Sequence, residues 1–262
     1  MRIAVASGKG GTGKTTVAVN LAVFNSVNLF DLDVEEPNDH IFIKGEKKEK
    51  TAYRKVPVVT DDCNACGLCK DICQFNAIYV IDRAYPLPEL CHSCGACIHL
   101  CPENALKETD YQTGKIVTVD SDIILTYGEL TIGEASAVFL IEQVKELMGR
   151  DAIIDSPPGV ACPMVESVND SDFVILVAEP TPFSFHDLKI AAEVVSDLGR
   201  KFGVVINKYG LPYEGVEKYC RETGIEILGK IPFSREIARK YSRGELLHDM
   251  KSFFVDLYEG IV

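Results

Sequence analysis

Residues 8–15 read Gly-Lys-Gly-Gly-Thr-Gly-Lys-Thr, and this octapeptide decides the fold. It fits the pattern G-x-x-x-x-G-K-[ST], it follows an apolar strand-like run, and it precedes a helix-forming segment. Its glycines let backbone N–H groups turn inward around phosphate oxygens, and a helix that begins here adds a favourable dipole. We expect Lys14 to reach the β- and γ-phosphates and the Thr15 hydroxyl to ligate Mg²⁺. The octapeptide therefore predicts a nucleotide-binding site.

The segments before and after the middle of the chain alternate between strand-like and helix-like patterns. Residues 2–7 (RIAVAS) lead through the glycine-rich loop into a helical pattern at 16–26 and a second apolar run at 27–34 (VNLFDLDV). Later helical patterns cover 134–148, 185–199, 213–223 and 234–243, and the apolar runs AIIDS, FVILVAE, FGVVINK and EILGKIP separate them. This alternation predicts an α/β fold with a mostly parallel sheet and helices on both faces.

The middle of the chain breaks this rhythm and contains an internal repeat. Two C-x₂-C-x₂-C-x₃-C runs lie 28 residues apart, and they hold eight of the ten cysteines: Cys63, Cys66, Cys69 and Cys73, then Cys91, Cys94, Cys97 and Cys101. A self-similar segment within an α/β alternation indicates an inserted domain. We place it at 56–119, and the nucleotide-binding domain then consists of 1–55 and 120–262.

Composition narrows the class of protein. The formal net charge is −12, which argues against nucleic acid or a membrane surface as a partner, and the lysine-rich stretch at 44–50 is expected to be a solvated loop. No apolar run reaches the ~18 residues of a membrane span, and no apolar signal-peptide core follows Met1. The apolar spacing over 246–262 predicts a helix that packs on the core. We therefore expect a cytoplasmic protein whose cysteines serve metal or redox chemistry.

Lys9, which follows the first glycine of the octapeptide, makes the motif more specific. With it the sequence resembles the deviant-Walker P-loop ATPases, the superfamily that includes MinD, ParA, Mrp-type proteins and the nitrogenase iron protein. In that family a lysine at this position reaches across a nucleotide-sandwich dimer to the partner's phosphates. The resemblance implies a homodimer that binds ATP and Mg²⁺. The residues implied at the nucleotide are Gly8, Lys9, Gly10, Gly11, Thr12, Gly13, Lys14, Thr15 and Thr16.

Two acidic segments match further motifs of the family. Asp33 ends the sequence Asp31-Leu32-Asp33, and the resemblance implies that it orients the attacking water, with Asp31 near the magnesium shell. Asp155 begins the sequence DSPPG at 155–159, which resembles the segment that holds Mg²⁺ through water. The resemblance thus assigns catalysis to Lys9, Lys14 and Asp33, the Mg²⁺ site to Thr15, Asp33 and Asp155, and the adenine base to the neighbourhood of Asn207 and Pro232.

The two cysteine runs have the spacing of bacterial ferredoxins. Three thiolates of one run can converge on one cluster, and the fourth cysteine is carried by the following helix to the other cluster. This pattern implies two [4Fe-4S] clusters, one on Cys63, Cys66, Cys69 and Cys101 and the other on Cys91, Cys94, Cys97 and Cys73. Zinc also binds C-x₂-C pairs, but zinc sites do not require two runs of four. Pro102 follows Cys101 as the pattern expects, whereas Gln74 follows Cys73.

Two cysteines lie outside the runs. Cys220 falls in a helical pattern and is expected to be a buried apolar residue. Cys162 lies seven residues after Asp155, and the nitrogenase iron protein has at that offset a cysteine that ligates a cluster bridging its two subunits. A structural or interfacial thiol is the alternative, because the sequence offers no obvious second cysteine for such a bridge.

Two functions remain open from the sequence. In the first, ATP binding and hydrolysis switch the homodimer and control electron transfer through the clusters to a redox partner. In the second, the protein is an iron–sulfur cluster scaffold or carrier of the Mrp type that serves a cluster-acceptor protein. Mrp-type ATPases carry a C-x-x-C motif near the C-terminal part of the domain, and none follows Cys101. The predicted insertion separates the acidic segment at 31–33 from the one at 155–159, which favours coupling between nucleotide and clusters.

Overall fold

The computed structural model describes residues 1–262, and the chain divides into two compact units. The first unit consists of Met1–Glu49, Ile116–Glu129 and Ile141–Val262, and the second consists of Lys50–Lys115 and Leu130–Leu140. The predicted insertion at 56–119 thus differs from the second unit at both ends and lacks the piece at 130–140. That piece contains no cysteine and no part of the repeat, so no sequence pattern indicated it.

Eleven strands and nine α-helices follow one another along the chain. The strands are β1 (Arg2–Ala6), β2 (Leu29–Asp31), β3 (Glu46–Val59), β4 (Ile78–Val80), β5 (Ala84–Pro86), β6 (Leu106–Asp120), β7 (Ile124–Leu130), β8 (Ala152–Asp155), β9 (Phe173–Ala178), β10 (Lys201–Tyr209) and β11 (Ile227–Pro232). The helices are α1 (Lys14–Phe24), α2 (Leu68–Asp71), α3 (Ala96–His99), α4 (Val138–Lys145), α5 (Cys162–Val168), α6 (Pro182–Asp197), α7 (Gly215–Thr223), α8 (Arg235–Ser242) and α9 (Lys251–Glu259). None of these helices is both long enough and apolar enough to cross a membrane.

Nine of the strands form one sheet in the order β11-β10-β9-β1-β8-β2-β7-β6-β3. The pairings from β11 to β7 are all parallel, and β1 lies between β8 and β9. The carboxyl ends of these strands therefore meet at one edge of the sheet, where α/β proteins place their ligands. The predicted α/β fold with a mostly parallel sheet is confirmed.

Strand β1 shows how the core of the first unit forms. Its residues Ile3–Ala6 are 0% exposed, and alternate residues of a strand face opposite sides of a sheet. Ile3 and Val5 belong to an apolar cluster that includes Leu21 of α1 and Phe254 of α9. Because the residues between them are equally buried, both faces of the sheet are covered at this strand. The C-terminal segment packs on the core as α9, as predicted.

The internal repeat of the second unit reappears in its backbone. Helices α2 and α3 occupy equivalent positions in the two cysteine runs, and each is preceded by a left-handed glycine, Gly67 with φ 86° and Gly95 with φ 72°. The two runs therefore adopt the same loop conformation. Non-glycine residues with positive φ also come in matched pairs 28 residues apart, Ala65 with Ser93 and Asn76 with Asn104.

One local prediction was wrong, and one helix was not predicted. The lysine-rich stretch at 44–50 was expected to be a loop, but most of it belongs to β3, the last strand in the order of the sheet. Edge strands commonly carry exposed lysines that discourage pairing with another chain, and such a strand resembles a loop in composition. Helix α5 was not predicted at all, because Cys162 follows the turn-forming sequence at 156–159 and Pro163 follows Cys162.

A buried ion pair connects the pieces of the second unit. The side chains of Arg54 and Glu134 are each 2% exposed, and their charged atoms lie 2.8 Å apart. Arg54 also donates to the carbonyl oxygens of Pro88 at 2.7 Å and Cys91 at 2.8 Å, and the Thr113 hydroxyl donates to Glu134 at 3.3 Å. One guanidinium group thus joins β3, the segment at 130–140 and the second cysteine run.

We predict that Arg54→Met destabilises the protein by about 3 to 5 kcal/mol, because it leaves the Glu134 carboxylate buried without its partner. Urea unfolding followed by circular dichroism measures this change in the free energy of unfolding. Lys55→Met is the matched control, since the ion pair of Lys55 with Asp110 is exposed and exposed pairs contribute little. Equal destabilisation by the two variants would contradict this role of Arg54.

Candidate functional site

The glycine-rich loop runs from the end of β1 to the start of α1, and two of its glycines are required by geometry. Gly13 has φ 95°, and a Cβ atom there would lie 2.1 Å from Nδ2 of Asn207. A Cβ atom at Gly8 would lie 2.3 Å from the carbonyl oxygen of Asp187. Helix α1 begins at Lys14, so its first N–H groups face the loop. This arrangement can bind the phosphate groups of a nucleotide.

Thr15 and Asp155 meet at the carboxyl edge of the sheet. The Thr15 hydroxyl donates to Oδ2 of Asp155 at 2.6 Å, and both residues are buried. The other carboxylate oxygen of Asp155 has no hydrogen-bond partner, and the same is true of the buried hydroxyl groups of Thr12 and Ser156. Buried polar atoms without partners are rare in folded proteins. These atoms therefore fit a bound cation and the phosphate oxygens it neutralises.

Asp31, which the resemblance implied near the magnesium shell, also has a structural role. Its carboxylate accepts hydrogen bonds from the backbone N–H groups of Asp33 at 3.0 Å, Asn38 at 2.9 Å and Asp39 at 3.2 Å. It therefore holds the turn after β2 in shape. Burial, together with the charge of Asp155, raises the pKa of Asp31 well above its ordinary value.

Asp33 and Asp39 complete a group of carboxyls around Asp155. Burial raises the pKa of Asp33 to about 6; the positive charge of Lys14 opposes the shift and the negative charge of Asp155 adds to it. Asp39 is fully buried, neither of its carboxylate oxygens has a partner, and burial raises its pKa well above the ordinary value. Bringing these carboxyls together is unfavourable in itself, so the site suits a cation.

Lys9 forms an ion pair within its own chain. Its Nζ lies 2.7 Å from Oε1 of Glu179, and Nζ of Lys208 lies 2.6 Å from the other carboxylate oxygen. Lys208 also donates to the carbonyl oxygen of Gly11 at 3.1 Å. Burial alone would raise the pKa of Glu179, but the hydrogen bonds from the two lysines lower this pKa below its usual range. Glu179 thus holds Lys9 beside the loop.

Asn207 and Pro232 lie at the carboxyl ends of neighbouring strands. Asn207 is buried, its Nδ2 donates to the carbonyl oxygen of Thr12 at 2.7 Å, and its Oδ1 accepts from the N–H of Lys208 at 2.8 Å. Pro232 is exposed at the end of β11, opposite Tyr209 in the parallel register. The side-chain amide of Asn207 therefore holds the glycine-rich loop in place through its hydrogen bond to Thr12.

Two cavities of the second unit are each lined by four cysteines. No group of three or more histidines, cysteines, aspartates or glutamates is arranged to hold one metal ion. One cavity contains Cys63, Cys66, Cys69 and Cys101, and the other contains Cys73, Cys91, Cys94 and Cys97, which are the two sets implied by the spacing.

Burial affects the thiols in these cavities. It raises the pKa of the Cys97 thiol to about 11, with the nearby Cys91 and Cys94 adding to the effect, and it also raises the pKa of the Cys69 thiol.

Backbone N–H groups also point at three of these sulfur atoms. Ala77 donates to Sγ of Cys73 and Ala105 to Sγ of Cys101, both at 3.3 Å, and Ser93 donates to Sγ of Cys91 at 3.4 Å. Such N–H···S bonds stabilise negative charge on sulfur, as in metal-bound thiolates.

The two remaining cysteines differ in exposure. Cys162 is the first residue of α5 and is exposed, whereas Cys220 is buried in α7 as expected. Burial raises the pKa of the Cys220 thiol to about 11, which keeps it unreactive.

Sequence reasoning missed two side chains of the nucleotide region, Glu179 and Asp39. Glu179 follows the last residue of β9, and the position of a charged residue after a buried parallel strand could have indicated it. Asp39 lies in a 3₁₀ turn, Asp39–Ile41, and no local pattern marked it as buried.

Comparison with known proteins identifies the family. Residues 3–247 match the CobQ/CobB/MinD/ParA nucleotide binding domain. The chain belongs to this family. As a member of it, the protein is a nucleotide-binding protein with a P-loop, in agreement with the geometry of residues 8–15.

Individual relatives are similar to this chain over most of its length. An uncharacterised protein of Methanocaldococcus jannaschii is 35% identical over 265 residues, which is 96% of this chain and 91% of the relative. The iron-sulfur cluster carrier protein of the same organism is 26% identical over 266 residues, covering 93% and 76% of the two chains. The septum site-determining protein MinD of Pyrococcus horikoshii, solved with Mg-ADP, aligns with a TM-score of 0.61 at 19% identity and covers 99% of this chain and 95% of its own. The last likeness shows the fold alone.

The raised pKa of Asp33 predicts how its removal affects stability. Because the folded-state pKa is about 6 and the ordinary value is 3.8, the folded protein binds this proton more tightly. Ionisation of Asp33 therefore destabilises the fold increasingly as pH rises from about 4 to about 6, and fully above that. Without nucleotide and Mg²⁺, Asp33→Asn should raise the thermal unfolding midpoint at about pH 7.5, and the gain should shrink toward about pH 5.

Differential scanning calorimetry at the two pH values measures this effect, and Asp122→Asn, at an exposed position, is the control that should change neither midpoint. A gain that is the same at both pH values would show that charge is not its cause.

Proposed function

We propose that this protein couples ATP binding and hydrolysis in a nucleotide-sandwich homodimer to electron transfer through two [4Fe-4S] clusters. The observation that carries the proposal is the sorting of eight cysteines into two cavities of four, within a chain of a nucleotide-binding family. A redox protein is the partner that this activity requires.

At the nucleotide, each role follows from a contact described above. Lys14 and the N–H groups of the loop would bind the β- and γ-phosphates, and Thr15 with Asp155 would hold Mg²⁺. Asp33, whose pKa of about 6 leaves it ionised near neutral pH, would orient the attacking water. Lys9 would leave Glu179 and bind the phosphates of the partner protomer when the dimer closes.

The cysteine cavities fit clusters better than single ions. Around one zinc ion, four thiolates crowd together at Zn–S distances of about 2.3 Å, whereas a cubane cluster binds each thiolate to a different iron and so spreads them around a larger centre. Each cavity takes three cysteines of one run and the fourth cysteine of the other, which is the pattern of a two-cluster ferredoxin. When bound, the clusters would store and pass on single electrons.

The path of the chain supports coupling between the two activities. All four passages between the units fall inside regular elements, namely β3, β6, β7 and α4. Strand β7 pairs with β2, which ends at Asp31, and α4 precedes β8, which ends at Asp155. A change at the carboxylates that sense the nucleotide would therefore reach elements that continue into the second unit.

A second candidate is an iron–sulfur cluster scaffold or carrier, favoured by the similarity to the carrier protein of Methanocaldococcus jannaschii. A carrier holds its cluster loosely so that it can be transferred. Eight cysteines in two lined cavities, with backbone N–H groups directed at three sulfur atoms, favour clusters that are retained. We therefore place electron transfer first.

We predict that Lys14→Ala lowers the rate of ATP hydrolysis by about 100-fold or more, because a charge that neutralises the transferred phosphoryl group is lost. Asp33→Ala should lower kcat while leaving nucleotide affinity close to that of the parent. Phosphate release and isothermal titration calorimetry measure the two quantities, with Lys44→Ala, an exposed lysine, as control. Full hydrolysis by both variants would disprove the catalytic assignment.

Iron content tests the cluster assignment separately. Anaerobic reconstitution should give about eight iron and eight sulfide per chain. Cys66→Ala and Cys94→Ala change exposed cysteines of different cavities. Each variant should therefore lose at most about half of the iron, with little effect on folding. Cys162→Ser is expected to leave it unchanged, in keeping with a structural or interfacial thiol. Binding of zinc instead of iron, or the loss of iron in Cys162→Ser, would refute these assignments.

A further inference from the structure

Each cysteine cavity is bordered by a pair of side chains, one from each repeat. Phe75 and His92 line the cavity that contains Cys91, and their rings stack with centroids 3.7 Å apart and planes inclined by 11°. Asn64 and Glu103 line the cavity that contains Cys63, where Nδ2 of Asn64 donates to Oε1 of Glu103 at 3.0 Å. One cavity thus has an aromatic pair at its border and the other a polar pair with a carboxylate, although Lys55 and Glu108 also line the first.

The two pairs occupy equivalent places in the internal repeat. Asn64 and His92 are 28 residues apart, and so are Phe75 and Glu103, which is the offset between the cysteine runs. The loops themselves have the same backbone conformation in both repeats. At these equivalent positions the cavities therefore differ in their side chains and not in the path of the chain.

Both pairs are fixed to the loops that carry the cysteines. Oδ1 of Asn64 accepts from the N–H of Cys66 at 3.1 Å, so the residue that holds Glu103 is itself anchored. On the other side, the guanidinium of Arg54 binds the carbonyl oxygen of Cys91, which fixes the backbone just before His92.

The two borders would change the redox potential of a cluster through different interactions. A carboxylate opposes the gain of an electron by Coulomb repulsion, and salt screens this effect because the group is exposed. Apolar ring surface acts by keeping water away, and a drier centre stabilises an added negative charge less well. The second effect has little dependence on salt.

We propose that Glu103 and Phe75 set the redox potentials of the two clusters separately, an inference that rests on the proposed function. Glu103, held by Asn64, lowers the potential of the cluster at Cys63 through its charge. Phe75, stacked on His92, lowers that of the cluster at Cys91 by excluding water. Ionic strength, or a cationic group that approaches Glu103, then weakens the effect of this carboxylate and raises the potential of the cluster at Cys63.

Redox titration of the reconstituted full chain tests this proposal, at about 0.05 M and about 0.5 M salt. Hyperfine-shifted NMR signals of the cysteine β-protons identify each cluster. Glu103→Gln should raise the potential of the cluster at Cys63 alone, by a shift that becomes smaller at high salt. Phe75→Gln should raise that of the cluster at Cys91 alone, by a shift that is the same at both salt concentrations.

Glu103→Asp keeps the charge and Phe75→Leu keeps the apolar surface, so the redox potentials of both variants should stay close to those of the parent protein. Asp122→Asn in the first unit should change neither potential. Shifts that affect both clusters equally, that are absent, or that show the reverse dependence on salt would overturn the inference and leave the proposed function standing. A reconstituted protein without iron would refute the proposed function itself, and the inference with it.

Discussion

The hydrogen bond from Thr15 to Asp155 ties the glycine-rich loop to the centre of the sheet, and the rest of the nucleotide site depends on it. Backbone hydrogen bonds converge at the same place, from the N–H of Leu32 to the carbonyl of Asp155 at 2.8 Å and from the N–H of Ser156 to the carbonyl of Val5 at 3.0 Å. The ends of β1, β2 and β8 and the start of α1 are thereby joined at two consecutive residues, Asp155 and Ser156.

This convergence concentrates negative charge in a buried place. Asp33, Asp39 and Asp155 have raised pKa values because burial disfavours their charged forms, and only Lys14 brings an opposing charge. A bound Mg²⁺ would relieve this repulsion, so ligand binding and stability are linked. In the proposed dimer, the ion pair of Lys9 with Glu179 would break before Lys9 binds the phosphates of the partner protomer, which would add a second linkage.

The parts of this arrangement that sequence could predict are those whose geometry is encoded locally. The loop at 8–15 requires left-handed glycine at Gly13, and the 28-residue repeat of the cysteines reappears in the matching loops before α2 and α3. Long-range contacts could not be predicted in this way. The ion pair of Arg54 with Glu134 joins residues 80 apart in sequence, and nothing near either residue indicated that the segment at 130–140 belongs to the second unit.

The same limit applies to Asp31, because no local pattern indicated that its carboxylate holds the turn at Asn38 and Asp39. Family resemblance locates a motif along the chain, but it does not show the hydrogen bonds that the side chains form on folding. Glu179 shows the converse, since a residue without any motif became the partner of Lys9.

The central claim, that nucleotide state controls the clusters, is tested most directly by one measurement. The midpoint potentials and the rate of electron transfer from the reduced, reconstituted protein to a one-electron acceptor are compared with and without MgATP, with an apo-iron–sulfur protein present. We predict that MgATP changes the potentials or the rate while iron stays with the protein, and that Lys14→Ala abolishes the change. Potentials and rates that do not respond to MgATP, together with iron that moves to the apo-protein, would contradict the account and establish a cluster carrier instead.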